Sequence, residues 1–249
     1  MKKYIFIFGI ALFATALLTS CGPDCDPSNP QSECYVPCDP TDPTSDCYEQ
    51  PCDPTDPTSD CYEPDPLVDA GVVINGIKWA TRNVDMPGTF AATPESSGMF
   101  YQWNRKIGWS SSDPMVSSNG DTEWDATNPE GTEWTKSNDP CPQGWRVPTH
   151  DEQLTLLAED DVEHEWTSQN SINGRLFTDK VSSKKLFLPA AGLRYGIDSA
   201  LDGVGTYGGY WSSTQRDEFF AYYLHFYSGS ADWGGAYRSY GLAVRCVTE

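Results

Sequence analysis

The sequence predicts an α+β domain over residues 67–249, carried on a non-globular acidic segment over residues 21–66 and led by a short apolar segment over residues 1–20. Three observations predict it. All nine tryptophans lie beyond residue 67. One strong helix start stands near the middle of that stretch, and short β-branched and aromatic runs bounded by Gly, Ser and Asn surround it. About 180 residues suffice for one substantial core.

In chain order, "MKKYIFIFGIALFATALLTSC" opens with Lys2 and Lys3 and continues as an apolar run from Tyr4 to Leu18. The run is short for a membrane span and reads as a secretory signal. Leu18-Thr19-Ser20-Cys21 resembles a bacterial lipobox, which implies cleavage before Cys21 and a lipid anchor on its thiol. Each buried acyl CH₂ contributes about 0.8 kcal/mol, so several chains anchor firmly. The acidic residues of Gly22-Pro23-Asp24-Cys25-Asp26 resemble the export tag of Bacteroides-type surface lipoproteins. The expected location is therefore the outer membrane, facing outward, with the membrane as one partner.

Residues 22–66 contain no Lys or Arg, twelve Asp or Glu and eleven Pro. Such a composition cannot bury a core, and like charges extend it. The phrase C-D-P-T-D-P-T-S-D-C-Y-E occurs twice, after a looser copy. Its cysteines fall in equally spaced pairs, Cys25/Cys34, Cys38/Cys47 and Cys52/Cys61. An oxidising compartment makes disulfides the default, and the repetition favours pairing within each copy, although the connectivity stays open. The segment reads as a disordered or disulfide-knotted stalk. Asp39, Asp42 and Asp46 offer carboxylates to a cation, but the glycine register of a calcium loop is missing. A solvated spacer is the expectation, and neither metal nor cofactor is assigned.

In the following domain Asn75-Gly76 predicts a hairpin within "GVVINGIKWATRNV". "RVPTHDEQLTLLAED" predicts a helix: Thr149 caps it, Glu152 completes a capping box, and Asp151 and Glu152 face the positive end of its dipole. Leu154, Leu157 and Ala158 would form its buried stripe. The acids of "EDDVEHEW" read as a solvated face at the helix end. After Lys180, "KLFLPAA", "GGYWSST", "FFAYYLHFYS" and "YGLAVRCV" predict strands. Alternation in the third sets Tyr222, Leu224 and Phe226 against Tyr223, His225 and Tyr227. Cys141 and Cys246 are the two cysteines of this domain, and a bridge between them is expected; it would be worth about 4–5 kcal/mol in the chain-entropy account.

The blocks "NGIKWATRNV", "PGTFAATPESSGMFYQWNR", "NDPCPQGWRVPTHDE", "LFLPAAGLR", "GGYWSST" and "YGLAVRCV" are similar, in order, to those of the Fibrobacter succinogenes major paralogous domain family. The resemblance covers residues 70–249. It implies a C-type-lectin-like domain with a twisted antiparallel sheet, flanking helices, and first and last strands brought together. It also implies that Cys141–Cys246 corresponds to the helix-to-last-strand bridge of such domains, and that Trp211 is a core residue. The calcium-site triplets of sugar-binding relatives of that fold are absent, since Trp103-Asn104 is followed by Arg105.

Chemistry-bearing motifs are few. Gly203–Gly208 matches G-x-G-x-x-G, but strand signals follow it where a dinucleotide site needs a helix. His150, His164 and His225 are the three histidines, with no H-E-x-x-H or C-x-x-C. Fourteen Lys/Arg against twenty-four Asp/Glu in residues 67–249 exclude nucleic acid as an expected partner. No catalytic residue is assigned. Tyr, Trp, Ser and Gly concentrate between Gly208 and Tyr240, a composition suited to recognition surfaces. The candidate binding face is Tyr223, His225, Tyr227, Trp233 and Tyr237, and the expected ligand is a glycan or a surface protein. The alternatives are a structural accessory or tip role in a surface fibre or polysaccharide-uptake complex, or an enzyme on a fold like that of the formylglycine-generating family.

Overall fold

The computed structural model describes residues 68–249. The expected signal, the expected anchor at Cys21 and the cysteines of the expected stalk, Cys25, Cys34, Cys38, Cys47, Cys52 and Cys61, lie outside the described residues. The order is β1 (Val72–Ile74), β2 (Ile77–Trp79), β3 (Met99–Tyr101), β4 (Gly108–Ser110), β5 (Trp145–Arg146), helix α1 (His150–Leu154), a 3-10 turn (Thr155–Leu157), β6 (Val162–Gln169), β7 (Ile172–Asp179), β8 (Lys185–Pro189), β9 (Leu193–Arg194), β10 (Leu201–Asp202), β11 (Gly208–Gln215), β12 (Phe220–Tyr227), β13 (Ser230–Tyr237) and β14 (Val247–Thr248). Two antiparallel meanders, β6-β7-β8 and β11-β12-β13, accompany a four-stranded sheet ordered β1-β2-β14-β5 and two small hairpins.

This corrects the expectation of an α+β, C-type-lectin-like domain with flanking helices. Strands make up 40% of the structure and helix 4%, with one α-helix of five residues. The capping box itself forms: Thr149 Oγ1 accepts from the Glu152 amide, and the Glu152 carboxylate accepts from the Thr149 amide and from Arg146. A cap starts a helix without sustaining it. Here the chain tightens into the 3-10 turn, and Asp160-Asp161 hands it to a strand. The expected stripe of Leu154, Leu157 and Ala158 is only half-buried, whereas Gln153 and Leu156 go inside. Gln153 donates to the carbonyls of Tyr210 and Trp211, so a polar side chain holds the helix against β11. The acids of "EDDVEHEW" lead into and lie along β6, where Glu163 and Glu165 alternate outward with inward Val162. They are a solvated face, of a strand.

Other expectations stand. Asn75 and Gly76 take φ of 45° and 79°, the left-handed pair a two-residue hairpin turn needs. The last strand joins the sheet of the first without pairing with it: β14 lies between β2 and β5, and β2 separates it from β1. Cys141 and Cys246 are bonded across a separation of 105 residues. Gly203 and Gly205 have positive φ and lead into strand β11, in agreement with rejecting a dinucleotide turn.

The β11–β13 meander is central because both of its faces are used. Tyr210, Leu224 and Phe226 join one core cluster with Ile74, Trp79, Phe177 and Leu188. Trp211, Ala221 and Ala236 join a second with Tyr101, Trp103, Val147 and Cys246. Neighbouring residues on a strand point to opposite faces, so Tyr210 and Trp211 enter different clusters. This is why "GGYWS" is buried throughout and shows no alternation.

Arginines order the irregular segments. Arg194 donates to the carbonyls of Ser110, Ser112 and Ser199. Arg238 lies 4.5 Å over the Trp103 ring and donates to the Gly131 carbonyl. Arg245, buried at 1% exposure, reaches Asn83 Oδ1 and the carbonyls of Ala80 and Thr81. A planar fork of donors satisfies backbone acceptors that no strand pairs.

Candidate functional site: a tyrosine-lined cleft beside the C-terminal meander

The register of β12 and β13 distributes the five candidate residues. Tyr223 lies opposite Gly234, Leu224 opposite Trp233, and His225 opposite Asp232. Tyr223 and His225 therefore share one face while Trp233 takes the other, with Tyr222. The structure brings the five residues to one meander but not to one surface.

On the first face, Tyr207 donates from its hydroxyl to that of Tyr223 at 3.0 Å. The His225 ring stacks 5.2 Å from Tyr223 and 6.1 Å from Tyr207, nearly parallel to both. Gly234 makes this row possible, because a Cβ there would stand 2.8 Å from the Tyr223 ring. At the end of β13 Tyr237, which the register sets opposite Phe220 on Trp233's side, has its ring 5.7 Å from that of Tyr240, and Tyr195 meets Tyr240 edge-on at 5.5 Å. Tyr207, Tyr223, Tyr237, Tyr240, Phe220, Leu193, Leu242, Gly235 and Ala236 enclose a cleft of about 160 Å³. No charged side chain lines it. Tyr227 stands exposed at the end of β12.

Burial, and then the bond to Tyr223, push the Tyr207 phenol well up. Burial raises Tyr240, and the hydrogen bond to Asp202 raises Tyr195. Burial lowers His225 against the opposing charge of Asp232. The cleft thus offers phenol hydroxyls and aromatic faces, with the His225 imidazole stacked behind Tyr223 outside its lining. It can bind by stacking and by hydrogen bonds, without formal charge.

On the opposite face His150 stacks 4.1 Å from Tyr222, and Trp233 meets both rings edge-on at 5.3 and 5.7 Å. The first residue of α1 is thereby seated on the meander, and Trp233 keeps 45% of its surface exposed.

Sequence reasoning missed Tyr207, Tyr195, Phe220 and Leu193. Tyr207 sits inside the G-x-G-x-x-G match, one residue before the stretch singled out for its aromatics. Phe220 lay in plain view at the start of the predicted strand "FFAYYLHFYS" and was passed over, whereas Tyr195 and Leu193 had no local signal, since chain crossings bring them in. A larger cleft of about 900 Å³ runs along residues 102–109 and 120–125. Its buried amides are committed to the fold: Gln102 donates to the Asp125 and Ser239 carbonyls, and Asn104 donates to Glu130 and accepts from Thr135. Among the described residues no three His, Cys, Asp or Glu side chains converge on a metal-sized site, and no helix is long and apolar enough to cross a membrane.

His150, His164 and His225 all have pKa values lowered by burial, with Arg175 adding to the effect at His164. A depressed basic group leaves stability intact above its unfolded value near 6.5 and removes it as pH falls below. Asp85 and Asp139, raised by burial, act in the opposite sense, starting from carboxylate values. The expected result is a larger drop in urea midpoint between pH 7.5 and 5.5 for the native chain than for a His150→Gln/His164→Gln/His225→Gln variant. Equal drops would show that the three rings are not protected from protons.

A family model described as a domain of unknown function (DUF8237) matches residues 166–247, about a third of the chain. That segment runs from β6 into β14 and contains the whole lining of the cleft. No curated protein and no solved structure matches the chain.

Proposed function

We propose that this chain is a surface-anchored recognition protein. In this reading a lipid on Cys21 holds it in the outer membrane and residues 21–66 act as a spacer. The head captures a glycan or protein ligand through the tyrosine-lined cleft, for adhesion or uptake. The reading also takes the head as a member of the Fibrobacter succinogenes major paralogous domain family, on the six sequence blocks alone. The observation that carries it is the gathering of Tyr195, Tyr207, Tyr223, Tyr237 and Tyr240 in and around an uncharged cleft, with Tyr237 and Tyr195 reaching solvent. Tyrosine gives large contact area at low conformational cost, and its hydroxyl can bond whatever the ring covers.

The test is binding of the full chain, in micelles, to immobilised glycans and surface proteins. Tyr223→Ala and Tyr237→Ala are each expected to weaken capture by about tenfold or more, in the range of interface hot spots. Val181→Ser, at a fully exposed turn far along the chain, should leave it unchanged. Capture that survives both tyrosine changes would remove the cleft from the reading.

A further inference from the structure

We infer that the cleft takes one neutral pyranose ring, the terminal or branch sugar of a glycan; this rests on the recognition reading above and names its ligand class. Size is the first argument. A cleft of about 160 Å³ is well below the roughly 300–1,000 Å³ that encloses a drug-sized ligand. It therefore holds a single ring, the remainder of the ligand staying outside.

Charge is the second. The lining has no cation to pair with a carboxylate or sulfate. Asp202 accepts from Tyr195, Asp232 faces His225, and Asp198 acts on the Tyr195 and Tyr240 phenols, so the surroundings are acidic. Of the nearby cations, Arg216 packs over Gly235, with Asp217 and Glu218 following it in the chain, while Arg194 and Arg238, next to Leu193 and Tyr237, are buried and donate to backbone carbonyls. An acidic sugar would enter against this field and lose hydration without a partner.

Surface chemistry is the third argument, and it separates a sugar from an apolar peptide side chain. Among the described residues the Tyr237 and Tyr240 hydroxyls have no intramolecular partner, while Tyr207 and Tyr223 bond each other. An apolar side chain filling the cleft would strip water from phenols and return nothing, at a cost for each. A pyranose offers both surfaces required: C–H groups for the ring faces, and hydroxyls that accept from the Tyr237 and Tyr240 phenols. The lining supplies no carboxylate, so calcium has no role in this contact.

The experiment uses the full lipidated chain in a detergent without sugar headgroups. Methyl glycosides of glucose, galactose, mannose and N-acetylglucosamine are titrated beside methyl glucuronide, and saturation-transfer NMR is recorded with calcium and with a chelator. The expected result is saturable transfer to the C–H protons of at least one neutral glycoside, unchanged by chelation and absent for the glucuronide. Tyr240→Ala should abolish it. Tyr237→Phe, which keeps the ring and removes one hydroxyl, should weaken it about three- to tenfold, the worth of one hydrogen bond. Preference for the glucuronide, dependence on calcium, or indifference to both variants would overturn the inference. Protein capture through Tyr223 with no sugar bound would sink this inference and leave the recognition reading standing. Binding of neither ligand class would sink both.

Discussion

Replacing Cys141 and Cys246 together by alanine, with the stalk cysteines left in place, is expected to lower the stability of the head by about 4–5 kcal/mol. The bridge spans 105 residues, and a loop of that length loses about this much chain entropy when cross-linked in the unfolded state. For a domain of this size the loss corresponds to a fall in Tm of roughly 10–20 °C. Location adds to it. Cys246 is fully buried in the second core cluster, and its carbonyl accepts from the Ala80 amide at 2.8 Å, just before β14 enters between β2 and β5. The bridge therefore closes the sheet in which the ends of the domain meet. Urea unfolding followed by tryptophan fluorescence reads the effect. A loss below about 1 kcal/mol would show that packing alone holds β14 in place, as for a disulfide whose unfolded state is already compact.

Arg245→Ala carries the second large expected effect, a loss of about 3–5 kcal/mol. The guanidinium is buried, and desolvation lowers its pKa to about 10. Its bonds to Asn83 Oδ1, Ala80 O and Thr81 O join the run before β14 to the segment after β2. Removing it leaves a cavity and several buried acceptors without donors, each costing about 1–3 kcal/mol where water cannot reach. Arg245→Lys is the informative companion. A lysine keeps the charge but presents one ammonium where the arginine presents a fork, so it should recover only part of the loss. Equal stability of the lysine and native proteins would mean that charge, and not the planar array of donors, holds these segments.

Both changes act away from the cleft, which separates the stability of the head from recognition. Tyr223 and Tyr237 lie toward the surface on a meander whose two faces are already occupied by core, and Tyr240 stands in the turn that follows β13. The cleft lies where the second cluster thins toward solvent, as the partial burial of Tyr223 and Tyr240 beside that cluster indicates. A cleft carried on a doubly packed sheet is held in shape, as the proposed binding role requires.

How much of this was legible in advance differs from residue to residue. Asn75-Gly76 announced its hairpin because the left-handed conformation it needs is a property of two residues. Thr149 and Glu152 announced their capping box for a similar reason, since all of its partners lie within four positions. The helix beyond the cap was misjudged. Leu154, Leu157 and Ala158 span too few positions to distinguish a helix from a turn that gives way to a strand. The β6–β7 hairpin went unseen because its turn, Asn170-Ser171, takes left-handed φ values of 47° and 66° without glycine. The candidate binding face was half legible: the aromatics were visible, but the side each one faces was not.

By itself, then, the sequence determined the local features of this protein: the change from an acidic, proline-rich composition to a tryptophan-rich one, the two-residue turn, the cap, and the two cysteines available for a bridge. Each depends on composition or on neighbours a few positions apart. Tertiary structure alone decided that Tyr210 and Trp211 serve different clusters and that arginines replace missing strand partners. It also decided that Tyr207, Tyr223 and Tyr240 enclose one cleft with Leu193. Those outcomes depend on which face of a strand is covered and by what. That coverage is set by contacts between residues far apart in the chain, and no short stretch of sequence encodes it.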